Sequence, residues 1–197
     1  MLMDDTDRKP REEEWAADIR AGNEEAFVHL FDAYYRRLCA FATGVIGARG
    51  VSSSEHEASE VVHDVFVKIW ERRERFEIRH SLKAYLYQAT RNQALNYAES
   101  KKRREAHERT MEESKKPVRR TARTAEDELR LKELADAIWK AVDRLPERRR
   151  TAFVLHRQHD LTYREVAEVM GISKKTVEHQ MGSALKALRE SVSPDDF

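Results

Sequence analysis

Lys174, Lys175, Thr176, Glu178, His179 and Gln180 crowd the start of "GISKKTVEHQMGSALKALR", residues 171–189. Their side chains suit contact with nucleic acid. Ammonium groups neutralise phosphates or meet guanine, and a glutamine amide can read adenine. Catalysis would need other groupings. The chain has no glycine-rich phosphate loop and no Ser/His/Asp set at motif spacing, and its single cysteine, Cys39, sits among apolar residues in "RRLCAFA". His156 and His159 in "HRQH" lie three apart on a helix without a third ligand at metal-binding spacing. The expectation is therefore binding, with no enzymatic activity, cofactor or metal.

Those side chains can meet DNA only if a helix presents them together. "LTYREVAEVMGIS" supplies the support for such a helix. Thr162 with Glu165 forms a capping-box pattern, Val166, Ala167, Val169 and Met170 face inward, and Gly171 permits the left-handed residue that ends a helix. Ser173 caps the next helix, whose stripe of Val177, Met181, Ala184, Leu185 and Leu188 leaves Ser183 and the residues named above facing away. Helix, turn and helix in this order place the start of the second helix in the major groove.

Upstream, Asn23 caps a helix over residues 24–47 with Phe27, Leu30, Phe31, Tyr34, Leu38, Phe41 and Val45 on one face. Ser54 and Glu57 make a second capping-box pattern. The helix behind it carries Ala58, Val61, Val62, Val65, Phe66 and Ile69 inward, with Glu60, His63, Asp64 and Lys68 in water. A third helix starts at Ser81 and runs to residue 104. Between residues 99 and 123 ten Lys/Arg stand against five Asp/Glu with almost no apolar residue, which predicts a linker. Apolar spacing resumes at Leu129, Leu131, Leu134, Ile138 and Val142, and Leu145-Pro146 ends that helix.

Composition agrees with two small all-α domains. Of 197 residues 40% are apolar and 37% charged, with 6 Gly, 4 Pro and a net charge of +1. A neutral sum does not exclude DNA binding, because the local distribution of charge governs it. One cysteine excludes an internal disulfide and a thiolate zinc cluster, which suits a reducing, cytoplasmic setting. No run approaches the roughly 20 apolar residues of a membrane span. The expected layout is a loose tail over 1–18, a helical domain over 19–104, a linker over 105–124 and a helix-turn-helix domain over 125–193.

"LPERRR", "LTYREVAEVMGIS", "TVEHQ" and "ALKALR" together resemble the −35-reading domain of bacterial RNA polymerase sigma factors, in particular the extracytoplasmic-function (ECF) group. "ASEVVHDVFVKIW" resembles the core-polymerase-binding helix of that group. "SLKAYLYQATRNQALNYAESKKRR" resembles its −10-reading helix and loop. The resemblance implies an alternative initiation factor that docks on the beta-prime clamp helices and beta flap of core RNA polymerase, binds promoter DNA, and is held by an anti-sigma factor without entering the membrane. It assigns polymerase docking to Glu60, His63, Asp64 and Trp70. It assigns −10 contacts to Tyr87, Arg91, Asn92, Asn96, Glu99, Ser100, Lys101, Lys102 and Arg103, with the loop "AESKK" (98–102) holding a flipped base. Ser173, Lys174, Lys175, Thr176, Glu178, His179 and Gln180 fall to −35. Tyr85 stands where tryptophan is frequent in the group and Asn96 where aspartate is, so base preference does not carry over. A LuxR-like regulator acting outside polymerase is the competing reading, since its DNA-binding domain has a similar "GIS…TVEHH" helix. Residues 20–104 show neither the alternating strands nor the acidic pocket of a receiver domain.

Overall fold

Every regular element among the described residues is a helix. The computed structural model describes residues 14–52, 54–76, 78, 81–108 and 138–191. In chain order these hold α1 (14–20), α2 (Glu24–Ala48), α3 (Glu55–Glu71), a 3₁₀ turn (Arg73–Arg75), α4 (Leu82–Glu108), α5 (138–143), α6 (Glu147–Arg157), α7 (Tyr163–Met170) and α8 (Lys174–Ser191). They fall into two compact units, one within residues 1–113 and the other within 114–197.

In the first unit α2, α3 and α4 each pack on the other two. Asn23 Oδ1 accepts from the N–H groups of Glu25 and Ala26 at 3.0 and 3.2 Å, which starts α2 where the sequence predicts. Its buried face is Ala26, Leu30, Tyr34, Leu38, Phe41, Ala42 and Ile46. Phe27, Phe31 and Val45, expected inside, are only half-buried. The small Ala26 and Ala42 are buried on that face, and the two phenylalanines turn onto rings of α3. Phe31 lies 4.9 Å from Phe66 and Phe27 5.0 Å from Trp70 between ring centroids. On α3 all six predicted apolar residues are buried. Residues 14–18, expected to belong to a loose tail, are helical, and α1 anchors itself with Ala16 and a fully buried Ile19.

Glu57 ties α3 to α4. Its Oε2 accepts from the N–H of Ser54 at 2.8 Å, closing the capping box. Its Oε1 accepts from Tyr97 Oη and pairs with Lys101 Nζ, both on α4. Lys101 also donates to the Ser52 carbonyl at 2.8 Å. Burial works to raise the Glu57 carboxyl, but hydrogen bonds from Lys101, Tyr97 and Ser54 and the charge of Lys101 outweigh it, lowering it from 4.5 to about 2. Burial and the neighbouring carboxylate push the Tyr97 phenol up to about 12.

Ser81 Oγ caps α4 by accepting from the Ala84 N–H at 3.2 Å. The helix does not stop at residue 104. It runs to Glu108, so residues 98–102, expected as a loop, form helical turns, and 105–108 of the expected linker continue them. No Gly or Pro interrupts "AESKKRREAHE", and Glu99 pairs with Arg103 at 3.2 Å across one turn.

In the second unit α6, α7 and α8 pack together. Leu129, Leu131 and Leu134 lie outside the described residues. Ile138, expected on the inner face, is exposed, while Ala141, Val142 and Leu145 are buried, and α5 ends before Leu145-Pro146.

The depressed Glu57 value fixes a pH signature. Its folded value lies below the unfolded one, so the stabilisation is whole above about pH 4.5 and disappears as pH falls toward 2. Glu57→Gln is expected to lower the unfolding free energy at neutral pH by about 1–3 kcal/mol. Urea titrations across the acid range should show a shallower loss of stability in the variant. Parallel curves for variant and parent would remove Glu57 as the anchor.

Candidate nucleic-acid interface

The turn between α7 and α8 is built from local hydrogen bonds. The Thr162 N–H donates to Glu165 Oε2 at 2.8 Å, and the Glu165 N–H returns to Thr162 Oγ1 at 3.3 Å. Gly171 takes the left-handed conformation at φ 65°, and the N–H of Ile172 reaches the Ala167 carbonyl at 3.0 Å. Ser173 Oγ accepts from the Thr176 N–H at 3.1 Å and starts α8. Val166, Ala167, Val169, Val177, Met181, Ala184 and Leu188 are buried, whereas Met170 and Leu185 are half-buried at the edge of the predicted stripe.

With that stripe inward, α8 exposes Lys174, Lys175, Thr176, Glu178 and His179, and leaves Gln180 half-buried. Lys174 pairs with Glu178 at 3.6 Å, and the Ser173 and Thr176 hydroxyls lie 2.8 Å apart, occupied with the cap. Lys175, His179, Gly182 and Lys186 are all exposed at steps of four, three and four residues. Lys186 had no place in the sequence reading. Its spacing from Lys175 carries the signal. A Cβ added at Gly182 would meet nothing within 4 Å, so the stripe is open at its centre.

On α4 the expected −10 residues do not form one surface. Asn92, Asn96, Glu99 and Arg103 are exposed and recur at four, three and four residues, which aligns them on one side. Lys102 is exposed farther round the helix, and Arg91 is half-buried. Two expectations are corrected. Tyr87 is fully buried with its ring 5.2 Å from Phe41, so it offers no face to a base. Lys101 is committed to Glu57 and Ser52 as a tether between helices. Tyr85 packs edge-on against Phe76 at 5.2 Å and is half-buried.

Glu60, His63 and Asp64 stand exposed on α3 beside a groove of about 690 Å³ between α3 and α4. Asn96 and Ser100 of α4 line the same groove, so residues expected at two different partners share one depression. Trp70 lies at the far end of α3, half-buried against Phe27 and with the Arg73 guanidinium 4.8 Å from its ring centre. Burial pushes the Cys39 thiol above its ordinary range, which keeps it protonated. His156 packs on Tyr163 at 4.7 Å, and its Nδ1 lies 2.8 Å from the Leu161 carbonyl. Among the described residues no three His, Cys, Asp or Glu side chains gather as a metal ion would require. Nor is any described helix long and apolar enough to cross a membrane.

A helical bundle followed by a lysine-led helix-turn-helix defines a DNA-binding architecture, and comparisons with known proteins sharpen it. The family models "Sigma-70 region 2" and "Sigma-70, region 4" match residues 30–104 and 135–188, together more than half the chain. The ECF RNA polymerase sigma-E factor of Haemophilus influenzae is 24% identical over 181 residues, 89% of this chain and 92% of the relative. The ECF sigma factor SigW of Bacillus subtilis is 21% identical over 179 residues, 88% and 92% of the two chains. Among solved structures, CnrH in complex with the cytosolic domain of CnrY superposes with a TM-score of 0.61 at 24% identity, covering 91% of this chain and 96% of that one. RpoE in complex with the anti-sigma factor NepR from Bartonella quintana gives 0.61 at 21% identity, covering 84% and 95%. These structures support the all-α fold. The chain belongs to the ECF group of sigma factors and is an alternative sigma factor that directs transcription initiation. A LuxR-like regulator is not favoured, because the upstream unit matches sigma region 2.

Two glycines of the second unit, both in open space, separate backbone strain from helix propensity. Gly171→Ala is expected to destabilise by about 1–2 kcal/mol, because φ is positive although the space is open. Gly182→Ala, inside α8 and equally open, is expected to stabilise by up to about 1 kcal/mol. Thermal unfolding of the two variants reads the opposite signs, and equal signs would contradict the turn geometry.

Proposed function

We propose that the chain grips promoter DNA at two places while docked on core RNA polymerase through α3. The stripe of Lys175, His179 and Lys186 behind the Gly171 turn carries this reading. The ammonium groups of Lys175 and Lys186 suit the phosphates flanking a major groove, and Lys174, Thr176, Glu178 and Gln180 flank the stripe at the helix start, within reach of base edges. The exposed side of α4, with Asn92, Asn96, Glu99 and Arg103 and the nearby Lys102, meets the −10 element. Amides there suit unpaired bases, and the cations follow the backbone. Arg91 and Ser100 flank that surface on either side.

Glu60, His63 and Asp64 form an acidic docking face for the beta-prime clamp helices, where complementary charge steers association and sets orientation. Trp70 extends it at the end of α3. The second unit contacts the beta flap while holding −35. These two tasks fall to the two compact units, α1–α4 in the first and α5–α8 in the second. The chain catalyses nothing by itself and works in the cytoplasm, where core polymerase is. An anti-sigma protein holds it inactive, in keeping with the CnrH and RpoE complexes.

Run-off transcription with purified core polymerase tests the whole reading. Promoter-specific RNA should depend on the added chain, and DNA binding without initiation would overturn the reading. Lys174→Glu and Lys175→Glu should each lower initiation roughly tenfold, the scale of one lost contact of about 1–3 kcal/mol. Unchanged initiation in both would displace −35 recognition from this face.

A further inference from the structure

Asp64 and Lys68 stand four residues apart on α3, the spacing at which acid and base on a helix pair directly. Here they do not. Lys68 Nζ donates to Gln93 Oε1 at 2.9 Å, and Gln93 Nε2 donates to Asp64 Oδ2 at 3.0 Å. The amide has one working orientation, because an ammonium only donates and a carboxylate only accepts. Gln93 belongs to α4 and borders the α3–α4 groove. It therefore stands between two charges that would otherwise cancel.

We propose that Gln93 is a positioning residue for polymerase docking, acting by keeping Lys68 off Asp64. This rests on the docking face assigned above. With the amide in place, Asp64 remains an unneutralised carboxylate, held by one oxygen and free at the other to accept from a cationic partner. Without it, Lys68 reaches Asp64 and closes an internal ion pair. The partner's cation must then compete with a tethered ammonium. The effect is electrostatic, so it lies mainly in the association rate and its salt dependence.

The test measures binding of the fluorescently labelled full chain to core RNA polymerase at several salt concentrations. Gln93→Ala is expected to weaken binding roughly three- to fivefold, the range of an exposed ion pair, with a flatter salt dependence. Adding Lys68→Met to Gln93→Ala should bring affinity back to that of Lys68→Met alone. Lack of recovery would mean that Gln93 touches polymerase itself, which overturns the positioning role. Asp64→Asn separates this inference from the reading beneath it. If Asp64→Asn weakens binding and Gln93→Ala does not, the Gln93 role fails and the docking face stands. If neither variant weakens binding, the docking face fails as well.

Discussion

One carboxylate holds the first unit in register. Glu57 completes the N-terminal cap of α3 with one oxygen and receives Tyr97 and Lys101 of α4 with the other. The same side chain thus begins one helix and anchors a second. Charge-assisted hydrogen bonds in a partly buried site are stronger than neutral ones, and removing the carboxylate would take that acceptor from Ser54, Tyr97 and Lys101 at once. The acidic face of α3 and the polar side of α4 therefore hold a fixed relation. Gln93 repeats the same cross-helix logic farther along, at the surface.

The second unit reaches comparable definition with local means. Helix α7 has only eight residues, too few to persist alone, and depends on its reciprocal cap, the left-handed Gly171 and packing on α6 and α8. The cap of α8 follows two residues after that glycine. The direction of α8 is thus set within one short turn, while its stripe of Val177, Met181, Ala184 and Leu188 sets which side faces out.

Much of this was legible from sequence, and the gaps have a common cause. Caps and apolar stripes are local patterns, so Asn23, Ser54, Thr162, Gly171, the α3 face and most of the α8 stripe could be read directly. On α4 polar and charged residues surround the helix, so residue type says little about direction. Tyr87 reads like a stacking ring until Phe41 is seen covering it, and Lys101 like a phosphate contact until Glu57 is found. Both facts depend on partners far away in the chain. Phe27 and Phe31 sit at the edge of the α2 stripe for a related reason, since their rings meet Phe66 and Trp70 of α3, residues far off in the chain. The family resemblance supplied the order of the regions, but could not say which side of α4 points outward.

The triple anchorage at Glu57 bears on how such a protein can diversify. Positions 57, 97 and 101 are energetically coupled, so a change at one is tolerated best when the others change with it. Asn92, Asn96, Glu99 and Arg103 are exposed and supply none of the hydrogen bonds at Glu57, so they can vary singly at little cost to folding. If that side of α4 reads DNA as proposed, duplicated copies of such a gene can drift toward new binding sites by single steps there, while the tether behind it preserves the scaffold.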